Sequence, residues 1–502
     1  MSKVEVSLST AAVQAHHAAL RAQKLPLASK LAYASGSTLD AAVNTSINVF
    51  LLFYATTACG MEPGMAGAAI ALGLVLESLI DPLIGLYSDN FRSRWGRRLP
   101  FMAAGLPFLL LSYVLLFSLP DSNDQWLLFA LVASLSAAAR ISLSVFNLPY
   151  LAAGAELSDD QTDRERLIGL RWTLSIVAAF ITVAVGFTVF FGGENGLAQR
   201  LNYQPYAWTI AGLMLATGLL SMTVVRRTLD RQHVVEVKPV SLPSIVAEFA
   251  ELLHSRSFRV LFGVAVLFAA AQAVIQSLNL HAFTFFWHLD TSQTQFITLS
   301  ITGGMMLGAL IATPVIARME YRSAAVMGLL GIIVMQAVPP TLRLAGLLTL
   351  EGQALTFLMV GFSVFGGMMT TIVAIAVITM ITNAADEHEY LFGVRREGSY
   401  FAGWTLAYKI AGGLGTLLSG LILELIAFPV QQVKEQGMKI VLPQEMTDAL
   451  GLYYGPGAAV LTLMALALLF RFRLDRPGHR RILEALNARR QGQAGGAPLA
   501  SD

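Results

Sequence analysis

Within an otherwise apolar run, the segment Glu77-Ser-Leu-Ile-Asp81-Pro82 sets two carboxylates four residues apart. On a helix, positions i and i+4 share one face, with Cβ atoms about 6 Å apart. Two bare carboxylates at that separation repel. The repulsion is relieved by a proton on one or by a cation held between them, and such a pair titrates as a unit. Hard oxygen ligands that are empty in one state and neutralised in another are what a coupling-ion site needs. The alternative use of the same residues is a structural ion pair of Glu77 or Asp81 with Arg140 or Arg171.

Asp40, Arg140, Arg171 and Lys409 are further ionisable groups in apolar stretches. Charge at membrane depth is costly and marks function by default. Asp40, Asn44 and Asn48 recur every four residues, a polar stripe that must face protein or water; gluing helices together is its other role. Arg140, Ser144 and Asn147 share a second face, and Pro149 beyond them frees a backbone carbonyl. Arg140 can neutralise Glu77, Asp81 or Asp40, or it can fork onto an anionic solute. Gln272, Gln276 and Asn279 line a third face, with His281, Trp287 and His288 further on. Uncharged amides and aromatics suit sugar hydroxyls and ring faces; interhelical hydrogen bonds are the competing use. The run from Asp89 through Arg92, Arg94, Arg97 and Arg98 can close a charge network at helix ends. A network that breaks and re-forms is a conformational latch, whereas fixed basic residues there would only set topology. The eight histidines show no metal-like spacing, and the single cysteine, Cys59, allows no intrachain disulfide.

These residues must be carried by membrane-spanning helices. The 502 residues are 55% hydrophobic and 13% charged, with a mean hydropathy of +0.62, against about 25% charged in a soluble domain. The net charge of +2 lies in short loops and not on one face, which argues against a nucleic-acid partner. A span needs roughly 20 mostly apolar residues. Such runs lie near 31–58, 63–87, 99–119, 125–153, 168–192 and 206–226, then near 259–287, 293–317, 322–346, 352–382, 399–428 and 451–472. The expected fold is an all-α membrane protein with 12 transmembrane helices in two six-helix bundles, 31–226 and 258–472. A cytosolic N-terminal tail (1–30, not a signal peptide), a cytosolic linker (227–257) and a polar, disordered C-terminal tail (473–502) complete it.

Lys and Arg placement puts both termini inside. Arg92, Arg94, Arg97, Arg98, Arg226, Arg227, Arg318, Arg322, Arg395, Arg396 and the Arg471–Arg490 tail fall on one side; Arg200, Arg343, Lys434 and Lys439 fall on the other. Paired bundles suggest a transporter with its site at their interface. The sequence has no G-x-x-x-x-G-K-[ST] phosphate loop, and neither a nucleophile–base pair nor a filter-like segment stands out. An ATP-driven pump, an enzyme and a channel are therefore not the expected classes.

Four segments carry a family likeness: Lys30-Leu-Ala-Tyr33; Glu77 to Pro82 through Gly96-Arg97; Asn147-Leu-Pro149-Tyr150 through Gly154-Ala-Glu156 with Arg164-Glu-Arg166 and Arg171; and Ala385-Asp386 through Arg395-Arg396-Glu397-Gly398 to Tyr408-Lys409. Together, over roughly residues 30–472, they resemble the major facilitator superfamily, and within it the glycoside–pentoside–hexuronide:cation symporter family. The resemblance implies a cation site at Glu77, Asp81 and Ser144, with Arg171 and Lys409 near the central site. The family's galactoside-binding Asp and Trp fall at Asn147 and Leu151, and its first-helix sugar-binding Asp falls at Ala41, one residue after Asp40. The cation ligands are thus kept, with Glu for one Asp, while the galactoside ligands are not. Arg140 stands where Gly is typical, leaving room for a uronate, a sulfonated sugar or another anion.

The expected protein is a symporter of a sugar or glycoside, coupled to H⁺ or Na⁺ and working by alternating access. Glu for Asp leans toward H⁺. Its solute binds near Asp40, Asn44, Arg140, Asn147, Arg171, Gln276 and Lys409. It needs no cofactor, is monomeric, contacts membrane lipid and sits in a bacterial cytoplasmic (inner) membrane. The rival is a proton-driven transporter of an anionic or amphiphilic non-sugar solute, such as the lysolipid that a relative of this family carries.

Overall fold

The computed structural model describes residues 25–157, 160–193, 195–228 and 249–494. Of the expected segments, 1–24 of the N-terminal tail, 229–248 of the linker and 495–502 of the C-terminal tail lie outside the described residues. The described chain is helical. Eleven of its helices, from Pro63–Asn90 to Gln444–Leu469, are long and apolar enough to cross a membrane.

The first expected span is not one continuous helix. It begins as α1 (Leu27–Ala34), turns at Ser35 and Gly36, and resumes as α2 (Ser37–Ser46). Two π-helical stretches follow, Ile47–Leu51 and Tyr54–Ala58. Ser35 Oγ donates to the carbonyls of Ala32 (2.8 Å) and Thr217 (3.1 Å), a side-chain bond that competes with helix continuation. Gly36 abuts Ser221 and Tyr150 so closely that an added Cβ would lie 2.6 Å from Ser221 Oγ. The break puts Asp40 in the first turn of α2, where the helix dipole favours a negative charge.

The remaining helices are α3 (Pro63–Asn90), α4 (Leu99–Leu116), α5 (Gln125–Glu156), α6 (Gln161–Val185) and α7 (Arg200–Arg227). After them come α8 (Arg256–His281), α9 (Thr291–Arg318), α10 (Tyr321–Leu344), α11 (Gly352–Phe392), α12 (Glu397–Leu425), α13 (Val430–Gln436), α14 (Gln444–Leu452), α15 (Ala458–Leu469) and α16 (Arg476–Ala494). Local chemistry sets several ends. Pro63 opens α3 at a position where its missing N–H costs nothing. Asp124 accepts from the amides of Trp126 and Leu127 to cap α5, and Asp160 accepts from that of Asp163 to cap α6. Gly393, at φ 75°, closes α11 in the left-handed conformation.

The chain divides into two compact units. The first comprises Met1–Pro239, Gln276–Gln295 and Thr416–Leu442; the second comprises Val240–Ile275, Phe296–Gly415 and Pro443–Asp502. The distal ends of α8 and α12 thus pack with the N-terminal helices, where hydropathy alone groups them with the later spans. Small residues make this fit. An added Cβ on Gly67 would lie 2.8 Å from the Thr416 carbonyl and 3.0 Å from Gly420 Cα, so α3 and α12 touch backbone to backbone. Beside that seam His281 packs between Phe53 and Phe428 (ring centroids 4.9 and 5.4 Å), and Phe285 meets Phe428 at 5.1 Å.

In the second unit, the tail read as disordered contains α16. Asp475 accepts from the Gly478 amide at its start. Arg476 donates to the carbonyls of Ile316 and Ala317 at the end of α9, and Arg489 donates to that of Tyr390 on α11. Composition there is polar because charge and exposed carbonyls do much of the holding, with Leu486 as a buried apolar contact.

Candidate functional site

The approach of α3 and α5 decides the centre of the first unit. Gly73 faces Ser136: an added Cβ would sit 2.7 Å from its Oγ and 3.2 Å from the Ala137 amide. One turn further along each helix, the same register brings Glu77 opposite Arg140. Both are buried, Glu77 at 7% and Arg140 at 3% exposure. Arg140 Nη1 lies 3.4 Å from Glu77 Oε2, and Ser144 Oγ lies 3.5 Å from Glu77 Oε1. Of the partners open to Arg140 in the sequence, the structure pairs it with Glu77. Its Nε and Nη2 are buried and have no hydrogen-bond partner. Asp81 follows one turn on along α3, partly buried.

On α2, Asp40 accepts from Asn44 Nδ2 of its own helix at 3.1 Å and from Asn147 Nδ2 of α5 at 3.4 Å. Asn48, the end of the expected stripe, is exposed. Arg171 stacks its guanidinium over the Tyr150 ring at 5.2 Å, and its carbonyl accepts from Ser37 Oγ at 2.9 Å. Asp40, Asn44, Glu77, Arg140, Ser144, Asn147 and Arg171 therefore all sit on the packed helices α2, α3, α5 and α6 of one unit.

Lys409 lies half-buried on α12 in the second unit. The amide face of α8 is divided. Gln272 accepts from Gln336 Nε2 (3.1 Å) and donates to Thr370 (3.5 Å), while Gln336 accepts from Thr462 (2.9 Å). Gln272 is thus held in interhelical hydrogen bonds, the competing use of that face. Gln276 is exposed. His281 is fully buried with Nε2 2.9 Å from Thr56 Oγ1, a packing histidine and not a sugar-facing one. Among the described residues, no three His, Cys, Asp or Glu side chains gather as a metal site.

Three of the four expected latch residues meet. Arg98 pairs with Asp89 and, at 3.1 Å, with Glu156; Arg97 pairs with Glu156 at 2.7 Å. Arg92 is exposed outside this cluster. Glu156, which ends α5, is the shared counter-ion that spacing does not reveal. The second unit has a comparable cluster: Arg395 with Glu397 (2.8 Å) and Asp386 (3.8 Å), Arg396 with Glu251 (2.8 Å), and His479 of α16 with Asp386 (3.0 Å).

A scaffold that spacing also misses underlies the site. Lys30 of α1 pairs with the buried Asp163 of α6 at 2.7 Å, and Asp163 accepts from the Leu25 amide at 2.9 Å. Tyr33 donates to the Tyr150 carbonyl at 2.6 Å, and their rings stack at 4.7 Å. An added Cβ on Gly154 would run into the Tyr33 hydroxyl. The Lys30–Tyr33 and Asn147–Glu156 segments that carry the family likeness are therefore the two sides of one joint.

The model of the family described as MFS/sugar transport protein matches residues 32–476 of the chain. An uncharacterized symporter of Synechocystis sp. is 24% identical over 94% of this chain and 98% of its own length. A glucuronide carrier protein homolog of Escherichia coli is 23% identical over 77% of this chain and 81% of its own. The crystal structure of the nucleoside transporter NupG superposes with a TM-score of 0.61 at 14% identity, over 88% of this chain and 98% of that one. The last likeness shows the fold. The chain belongs to the MFS/sugar transport protein family, and is a multi-pass membrane transporter of the major facilitator type.

Proposed function

We propose that this family member is a symporter that couples the movement of a sugar or glycoside to that of H⁺ or Na⁺, through 12 helices in two six-helix bundles with both termini cytosolic. The bacterial inner membrane is its proposed location, and a single chain its working unit. The observation that carries the reading is the pair of α3 carboxylates one turn apart, Glu77 buried and Asp81 partly buried, with Ser144 Oγ 3.5 Å from Glu77. Fixed acidic oxygens at membrane depth are expensive unless a proton or cation neutralises them for part of a cycle. The solute site is proposed at Asp40, Asn44, Arg140, Asn147 and Arg171, with Lys409 and Gln276 from the later helices. The Asp89–Arg97–Arg98–Glu156 cluster is the proposed latch that breaks as access alternates.

The cycle needs no cofactor. A cation at the carboxylates lowers the cost of their charge and favours solute binding; the loaded carrier then rearranges and releases both. One elementary charge moved across 100 mV supplies about 2.3 kcal/mol, roughly 50-fold accumulation. The test is uptake of labelled mono- and disaccharides into proteoliposomes under imposed Na⁺ or H⁺ gradients. Accumulation should be abolished in Glu77→Gln with Asp81→Asn while gradient-free exchange persists. Accumulation that survives the double substitution would show that the coupling ion binds elsewhere. Arg140 supports a second reading, transport of an anionic non-sugar such as a lysolipid, because a buried guanidinium receives a phosphate as readily as a carboxylate.

A further inference from the structure

We infer that Arg140 is the receptor for an oxyanion on the transported solute, and that the solute, in binding there, draws the guanidinium from Glu77 and so opens the cation site. The inference rests on the symport reading and adds to it the solute's charge and the means of coupling.

A guanidinium carries five N–H donors in a fixed fork. Arg140 uses one terminal nitrogen, Nη1, on Glu77 at 3.4 Å. A charge-assisted bond of this kind is normally about 2.7–2.9 Å long. The other edge of the fork, Nε with Nη2, is buried and unbonded. Those two nitrogens are the pair that grips a planar carboxylate, or two oxygens of a sulfonate or phosphate, side-on. A buried cation with most of its donors unspent is costly, and the cost is removed when a second anion arrives. The neighbouring contacts are similarly loose: Ser144 to Glu77 at 3.5 Å and Asn147 to Asp40 at 3.4 Å.

The two roles of Arg140 compete. While it faces Glu77 it occupies, with a fixed charge, part of the space a coupling cation would take. An oxyanion on the Nε–Nη2 edge shares the guanidinium and weakens its hold on Glu77. Glu77 and Asp81 then repel one turn apart until a cation joins them. Solute and cation thus bind together or not at all, and the coupling needs no motion larger than a side-chain shift.

The test uses the full chain in proteoliposomes and solutes matched in all but the oxyanion. Methyl glucuronide is set against methyl glucoside, with a 6-sulfonated glucoside and a lysophosphatidate as further arms. Under an imposed cation gradient, at least one oxyanion solute should exceed its neutral partner in kcat/KM by on the order of 10²-fold, the scale set by leaving one buried polar group without its partner. Whether carboxylate, sulfonate or phosphate is accumulated identifies the source of the oxyanion. Arg140→Gln should erase the preference, and Arg140→Lys, a point charge without the fork, should keep a fraction of it. Because these variants can fail by misfolding, thermal unfolding of the unaltered protein in detergent gives a second readout: the oxyanion solute raises Tm and its neutral partner does not. If the neutral sugar is carried as well as the anion and Arg140→Gln leaves their ratio unchanged, Arg140 is only the partner of Glu77, and the inference falls while symport stands. If neither class responds to any cation gradient, the symport reading falls and takes the inference with it.

Discussion

The first unit contains two polar networks built from the same kinds of side chain to different tolerances. Around α1, Lys30 meets Asp163 at 2.7 Å, the Leu25 amide meets Asp163 at 2.9 Å, and Tyr33 meets the Tyr150 carbonyl at 2.6 Å. Around the α3–α5 contact, Arg140 meets Glu77 at 3.4 Å, Ser144 meets Glu77 at 3.5 Å, and Asn147 meets Asp40 at 3.4 Å. The first set lies near the ideal hydrogen-bond distance and the second at its outer limit. A network at ideal distance has no use for a visitor. One with long contacts and open donors gains from a ligand that completes it. Both sets share α5, so a rigid joint holds the loose one in place.

The comparison is broken most severely at Lys30. Removing one partner of a buried ion pair leaves the other charge stranded, at about 3–5 kcal/mol. Lys30→Met should therefore strongly depress the thermal stability of the purified protein. Lys30→Met with Asp163→Leu should recover most of that loss, because the cost is the stranded charge. If the double substitution is as unstable as the single, the pair does more than neutralise itself. A finer contrast sets Tyr33→Phe against Ser144→Ala. The first loses a hydrogen bond of 2.6 Å and should cost about 1 kcal/mol in unfolding measurements. The second loses a contact of 3.5 Å and should leave stability within about 0.5 kcal/mol, while weakening the cation dependence of uptake. Equal destabilisation by both would erase the distinction between the networks.

The smallest effect belongs to Asp121 and Lys434, which meet at 2.8 Å at the water-facing end of the unit. The Lys434 hydrogen bond holds the Asp121 carboxyl below its ordinary range. A depressed carboxyl adds stability that is present above its unfolded value, about 3.9, and fades as pH falls through the lower folded value. Melting curves of the unaltered protein and Asp121→Asn should therefore stay apart by a steady margin from pH 7 down to about pH 4 and converge as the pH falls further. A difference that widens as the pH falls would have the wrong sign for this pair.

What could be read from the sequence follows the range of each interaction. Spans were legible because lipid demands long apolar runs; the expected helix near 99–119 is found at Leu99–Leu116. The carboxylate pair and the Asp40–Asn44 step were legible because i and i+4 are neighbours on any helix. Which anion Arg140 takes was open, since three carboxylates qualified and only the Gly73–Ser136 contact selects Glu77. The joint of Lys30 with Asp163, 133 residues apart, leaves no periodic trace. The break at Ser35–Gly36 was hidden because it is made by the Thr217 carbonyl, Ser221 and Tyr150, which are distant in sequence. Gln276 and Gln272 looked alike by spacing, yet Gln336 and Thr370 engage one and leave the other exposed.

The seam between α3 and α12 has a bearing on speed. Where Gly67 meets Thr416 and Gly420, two main chains lie in contact with almost no side chain between them. What Gly67 itself contributes there is mainly dispersion contact. The neighbouring stack of Phe53, His281, Phe285 and Phe428 is different: to separate, its rings must surrender a large apolar area to water. Any separation there would be paced by the aromatics while the glycine seam follows, and a methyl group added at Gly67 would act as a wedge against Thr416 and Gly420.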